Sequence, residues 1–196
     1  MTKEFFYEQL IESVKQSKEI DFIDRYYLNG KPYIIDDDDN YYIIRKKIAD
    51  KFEISFLDVF IVGSSKFGFS PYKFTDFTYE SDVDILITNN DLFDAYLWNV
   101  SNNLYNSSTK SFADDIIKLN EFTRYLAKGW LRPDKVPYRM RSSLNMNDWF
   151  DFFNSLSSEI EETNNYKINA ALFKNINYAR RYYVTSLKAA QYNFKK

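Results

Sequence analysis

The sequence predicts an α+β fold, a small mixed β-sheet flanked by helices, in which one half carries the sheet and the other is helical. Three observations predict it. The apolar run Val59-Phe60-Ile61-Val62 stops abruptly at Gly63-Ser64, and the run Ser81-Asp82-Val83-Asp84-Ile85-Leu86-Ile87 carries two acids at alternate positions before continuing apolar; both have the length and flanks of short buried strands. A third strand-like run occupies residues 166–173. The remaining chain places apolar residues at the three- and four-residue spacing of amphipathic helices. One unit of 196 residues is expected, with its sheet core at about 40–90 and 166–173, its helical half at about 91–165, and a last helix at 176–192.

Taken in order, residues 3–17 have Phe6, Leu10 or Ile11, and Val14 on one helical face. Residues 18–29 continue as helix until Asn29-Gly30-Lys31-Pro32 breaks the pattern. The run Asp36-Asp37-Asp38-Asp39 resembles a metal cage, but consecutive residues do not converge on one ion, so it reads as the N-terminal cap of a helix from Tyr41 to residue 52. That helix leads into a strand at 58–62 and packs behind it. The loop at 65–80 is long for a compact domain. Its rings, Phe67, Phe69, Tyr72, Phe74, Phe77 and Tyr79, either stack on a base or fold down as a small hairpin; packing is the reading favoured for most of them.

Helices are expected at 90–106 and 109–128, the second with Phe112, Ile116, Leu119 and Leu126 near one face and Gly129 stopping it. The segment from Gly129 to Pro137 reads as a rigid turn bearing Trp130, Arg132 and Lys135. A helix at 146–163 turns Trp149, Phe153, Leu156 and Ile160 inward. The strand at 166–173 then joins the sheet as its third member. In the last helix Tyr178, Tyr182 and Thr185 fall on one side, and Arg181 and Lys188 on another.

Composition narrows the chemistry. The chain has no cysteine, so no disulfide framework exists, and no histidine, which removes the commonest general base and the usual zinc ligand. Catalysis would fall to carboxylates, metals and lysines. No apolar run approaches a membrane span and residues 1–4 lack a signal-peptide core, so a cytoplasmic protein with no membrane partner is expected. Net charge is only −2, yet residues 166–196 hold Lys167, Lys174, Arg180, Arg181, Lys188, Lys195 and Lys196 with no acid. Arg124, Lys128, Arg132, Lys135, Arg139 and Arg141 form a second basic cluster, interrupted only by Asp134. These segments are either solvated helix faces or one wall of a cleft for an anionic ligand.

The acids and the glycine suggest what that ligand is. Residues i and i+2 of a strand share a face, so Asp82 and Asp84 stand side by side while Val83, Ile85 and Ile87 point the other way. Paired carboxylates repel unless a cation lies between them, and hard oxygen ligands suit Mg²⁺ or Mn²⁺, which take further ligands from substrate phosphates. Gly63, just past a strand end, permits a sharp turn that brings backbone N–H groups against an anion. The pattern reads as a metal and phosphate site.

In this arrangement, Gly63-Ser64-Ser65-Lys66-Phe67-Gly68 ahead of Ser81-Asp82-Val83-Asp84 resembles the nucleotidyltransferase fold of the DNA polymerase β superfamily. It is most similar to oligoadenylate synthases, bacterial cyclic-oligonucleotide synthases and small stand-alone nucleotidyltransferases. The resemblance covers about residues 56–90 well and the rest loosely. It implies catalytic, metal-holding roles for Asp82 and Asp84 with Mg²⁺ or Mn²⁺. It also implies nucleotide contacts from Gly63, Ser64, Ser65 and Ser81; Lys66 in the following loop is read as facing phosphate, and the basic face of the last helix, with Lys188, as the place for a triphosphate or RNA backbone to rest. The substrate would be a nucleoside triphosphate, the acceptor a nucleotide, an RNA end such as a tRNA, or a protein hydroxyl, and toxin or phage-defence activity would fit such an enzyme. Family members place a third carboxylate on a later strand, whereas the run Lys167-Ile168-Asn169-Ala170-Ala171-Leu172-Phe173 has no acid. Asp134, Asp148 and Glu159 are the substitutes to weigh, and each has a simpler reading as a turn former, a helix-start acid or part of a charged helix face. The competing reading is a non-catalytic nucleotide- or RNA-binding module with the same fold.

Overall fold

The computed structural model describes residues 1–106, 115–159 and 166–194. Helix α1 (Lys3–Lys15) starts at a Thr2 cap and buries Phe6, Tyr7 and Leu10. Ser17 takes a positive φ of 56°, which separates α1 from α2 (Glu19–Phe22); α2 runs on as a π-helical segment, Ile23–Leu28. Helix α3 (Asp38–Phe52) starts as its acids suggest: Asp37 Oδ1 accepts from Asn40 N at 2.7 Å, satisfying a backbone donor that a helix start leaves free. Strand β1 (Val59–Val62), the short α4 (Ser64–Phe67) and strand β2 (Val83–Thr88) follow. Next come α5 (Asn90–Asn106), α6 (Ile116–Ala127), β3 (Trp130–Leu131), α7 (Met146–Glu159), β4 (Ile168–Phe173) and α8 (Ile176–Phe194).

The sheet is mixed, in the order β1-β2-β4-β3, with β2 antiparallel to β1 but parallel to β4. A parallel pair needs a long crossover, and α5, α6 and α7 lie within it. The alternation of β2 sends Val83, Ile85 and Ile87 to one face, where they pack with Val59 and Ile61 of β1, Ile44 and Ile48 of α3, and Trp149, Phe153 and Leu156 of α7. The opposite face is thinner: Val62, Leu86 and Phe173 meet Ala179 of α8, with Tyr183 and Trp130 against them. A third cluster joins α1, α2 and α8 through aromatic rings. Phe6 lies within 5.0–5.5 Å of Tyr7, Phe22, Phe67 and Phe69, at angles from 63° to 84°; such edge-on contacts contribute about 0.5–1.5 kcal/mol each beyond area burial.

Several expectations need correction. Residues 130–131 are not part of a turn but a fourth strand, pairing with Leu172 and Phe173 at the sheet edge, so β4 is an interior strand. Ile116 is 46% exposed; Leu126 is buried and Leu119 packs on the core as expected, and Phe122, not foreseen, is the fully buried residue of α6. Phe112 and Ile160 lie outside the described residues. Gly129 does stop α6, at φ +66°. Of the stretch read as a loop at 65–80, residues 65–67 belong to α4, and the chain then folds back as a small hairpin, with a bridge between Phe69 and Asp76 and Ser70 N donating to Thr75 O. Phe67 and Phe69 are buried by it, while Tyr72 and Tyr79 stay exposed. No helix of the described residues is long and apolar enough to cross a membrane.

Candidate metal and phosphate site

Strand register assembles the site. Val62 of β1 pairs with Asp84 of β2, and Asp84 pairs with Asn169 of β4. Their side chains therefore share one face, on strands about 4.8 Å apart. The end of β1 and the starts of β2 and β4 meet here, so the chain after Val62 must turn away at once. Gly63 makes that turn at φ +69°, ψ −147°, a region that residues with a Cβ essentially do not enter. A Cβ at Gly63 would also lie 2.6 Å from Asp84 Oδ2. Glycine is thus required twice, by the backbone and by the carboxylate pressed against it.

Asp84 is half-buried, and desolvation, reinforced by the negative charge of Asp82, pushes its pKa up to about 6; Lys73 and Lys167 act against this rise. Asp82, just ahead of β2, accepts a hydrogen bond at Oδ2 from Asn169 Nδ2 at 2.7 Å, and Lys167 Nζ is 4.0 Å from the same oxygen. Sequence reasoning missed Asn169 as a site residue. Its signal was visible, a single amide inside an apolar strand, two residues from Lys167 and so on the same face.

The other expected site residues divide. Gly63, Ser64, Ser81 and Asp84 line an open cavity of about 880 Å³, together with Asn169 and Tyr182, within the size of pockets that hold small-molecule ligands. Ser81 Oγ accepts from Thr78 N at 3.0 Å and so also closes the turn before β2. Ser65 is fully buried, its hydroxyl donating to Val62 O at 2.9 Å. Lys66 turns away from the cavity: Nζ donates to Asn29 O at 2.7 Å and to Gly30 O, and burial, with repulsion from Arg45, lowers its pKa to about 8. Lys188 lies off the cavity wall and pairs with Glu19 at 3.2 Å. Arg180 grips Asp24 through two hydrogen bonds, Arg132 does the same to Asp134, and Lys135 pairs with Glu121. Much of the basic character read from the sequence is therefore spent on internal ion pairs. Lys73 and Lys167 are cations that act on Asp84 itself.

Of the substitutes for a third acid, Asp134 is held by Arg132 and Asp148 by Lys51 at 2.9 Å, while the side chain of Glu159 lies outside the described residues. Among the described residues no three His, Cys, Asp or Glu side chains converge as a metal cage. The donor set at hand is the two carboxylates, Asp82 and Asp84, with Asn169 Nδ2 holding Asp82 by a hydrogen bond. That set fits a magnesium-type ion, which usually binds through one or two carboxylates and completes its shell with water and substrate phosphates. It also explains a half-buried carboxylate facing a like charge. No family model, curated protein or solved structure matches the chain.

Proposed function

We propose that the chain is a metal-dependent nucleotidyltransferase with the fold of the DNA polymerase β superfamily, moving a nucleoside monophosphate from a nucleoside triphosphate to a hydroxyl acceptor. The observation that carries this reading is Asp84, held half-buried beside Asp82 and against Gly63 at the wall of the cavity. Asp82 and Asp84 would hold Mg²⁺ or Mn²⁺, which when bound supplies neutralisation of the triphosphate charge. Asn169 fixes the rotamer of Asp82 through its amide hydrogen bond. Gly63 keeps the backbone low enough for phosphate to approach, Ser64 offers a hydroxyl on the cavity wall, and Lys167 and Lys73 balance negative charge at the rim. In the reaction the acceptor oxygen bonds to the α-phosphorus, pyrophosphate leaves with the electron pair of the broken P–O bond, and the hydroxyl proton passes to solvent. The acceptor is an RNA end such as a tRNA, a nucleotide or a protein hydroxyl.

A second reading has its own observation. Where a third acid would complete the site, Asn169 stands on β4 and spends its amide on Asp82, which favours a module that binds a nucleotide or RNA without turning it over. One experiment separates the two: incubation with each radiolabelled ribonucleoside triphosphate and Mg²⁺ or Mn²⁺, with and without total tRNA, beside Asp82→Ala/Asp84→Ala. Label that enters RNA or an oligonucleotide and is lost in the variant supports transfer. Binding without transfer under every condition refutes it in favour of the module.

A further inference from the structure

An aromatic strip runs across the surface beside the carboxylates. It is built from residues far apart in sequence: Tyr33 and Phe77 have ring centroids 6.5 Å apart, Phe77 and Tyr166 4.9 Å, and Tyr166 and Tyr79 5.9 Å, the last pair stacked at 13°. Tyr33 and Tyr79 are 66% and 83% exposed. The middle rings, Phe77 and Tyr166, are partly buried against the core, which anchors the strip, whereas the outer rings Tyr33 and Tyr79 stand in water and contribute little to that core, so folding alone does not explain their placement.

The strip is held firmly in place. Gly68, at φ +82°, has no Cβ to collide with Tyr33, whose Cδ2 would be only 2.8 Å from one. Tyr33 N donates to Lys66 O at 3.0 Å and Phe77 N to Gly68 O at 2.9 Å. Tyr7 Oη donates to Pro71 O at 2.8 Å, and Lys3 pairs with Asp76 at 2.6 Å, pinning the hairpin to α1. The strip adjoins the site through Tyr166 and the hairpin. Lys167 directly follows Tyr166 and reaches to 4.0 Å from Asp82, and Lys73 projects from the same hairpin as Phe77 and acts on Asp84.

We propose that this strip docks single-stranded nucleic acid, its bases stacking on Tyr79 and Tyr33 and its phosphates meeting Lys167 and Lys73. Every base offers a π face, and cations beside a row of rings neutralise the backbone without reading sequence. Paired bases in a duplex hide those faces, so single strands are favoured. A protein partner fits less well, because the cores of protein interfaces are depleted of charge, whereas here lysines flank the rings. Among the described residues two acids adjoin the strip, Asp76, which Lys3 neutralises at 2.6 Å, and Glu80 beside Tyr79; the latter opposes phosphate and places the backbone on the Lys167 side of the strip. Delivery of a strand end to Asp82 and Asp84 rests on the transferase reading above; the docking itself does not.

The test is fluorescence anisotropy with one labelled RNA, single-stranded and as a duplex. The wild-type protein is expected to prefer the single strand, and Tyr33→Ala/Tyr79→Ala, which removes the two exposed rings, to weaken its binding roughly tenfold or more. Tyr79→Phe keeps the ring and retains affinity, which separates stacking from misfolding. Lys167→Ala lowers the slope of log affinity against log salt by about one contact's worth. Equal binding of duplex and single strand, or unchanged binding in the double tyrosine variant, overturns the proposal. Transfer to a free nucleotide that survives while strip-dependent RNA binding is missing defeats only this inference; strip-dependent binding without any transfer defeats only the transferase reading.

Discussion

Replacing Asp84 with asparagine should stabilise the metal-free protein. The carboxyl titrates near 3.8 in the unfolded chain and near 6 in the folded one, because burial and Asp82 disfavour its charge. Between those values the folded state holds a proton that the unfolded state has lost, so stability falls as pH rises from about 4 to about 6 and then levels. A shift of about two units corresponds to roughly 3 kcal/mol. The amide introduced by Asp84→Asn is neutral throughout, so the variant and the wild type should be about equally stable near pH 4, and the variant more stable by up to about 3 kcal/mol above pH 6. Urea unfolding across that range without divalent cations measures the difference. Added Mg²⁺ at about pH 8 should then restore the wild type, by about 2.7 kcal/mol at a hundredfold excess over the dissociation constant, and leave Asp84→Asn unmoved. Parallel stability curves for the two proteins, with no gap opening between pH 4 and 6, would refute the electrostatic argument for a cation site.

Gly63→Ala forces a Cβ into a glycine-only conformation and against Asp84, and is expected to cost about 1–3 kcal/mol in chemical unfolding while abolishing stabilisation by Mg²⁺. Lys66→Met leaves two carbonyl groups without their charged donor; it should lower stability by about 1.5–3 kcal/mol yet leave nucleotide affinity unchanged, and a stable variant with weakened affinity would contradict the placement of that side chain. Asn169→Ala frees Asp82 from its amide partner and should weaken Mn²⁺ binding about 10- to 100-fold, read by direct titration; unchanged affinity would remove Asn169 from the site.

The parts of the fold legible in the sequence are those set by neighbours along the chain. Alternation in β2 announced that Val83, Ile85 and Ile87 face the core and leave Asp84 on the other side. The acids before α3 announced a cap, and Asp37 is one. The Gly63 turn followed from a strand that ends in glycine. What could not be read depends on distant partners. Strand β3 has only two residues and a proline soon after, so no period marks it; only pairing with β4 makes it a strand. Lys66 looked like a phosphate ligand because it follows Gly63-Ser64-Ser65, but its destination is set by the carbonyls of Asn29 and Gly30. Lys188 looked free because Glu19, which neutralises it, belongs to the other end of the chain. Asn169 stood out as a lone amide in an apolar strand, but that it serves Asp82 was set only by the parallel pairing of β2 with β4.

The most direct test of the metal and nucleotide site is equilibrium binding of Mn²⁺ followed by electron paramagnetic resonance, with each ribonucleoside triphosphate present or absent, in the wild type and in Asp82→Asn/Asp84→Asn. The proposed role of Asp82 and Asp84 beside Gly63 predicts that Mn²⁺ and triphosphate strengthen each other's binding in the wild type and that this coupling vanishes in the variant. Nucleotide binding that ignores the metal, or coupling that persists without the two carboxylates, would contradict it.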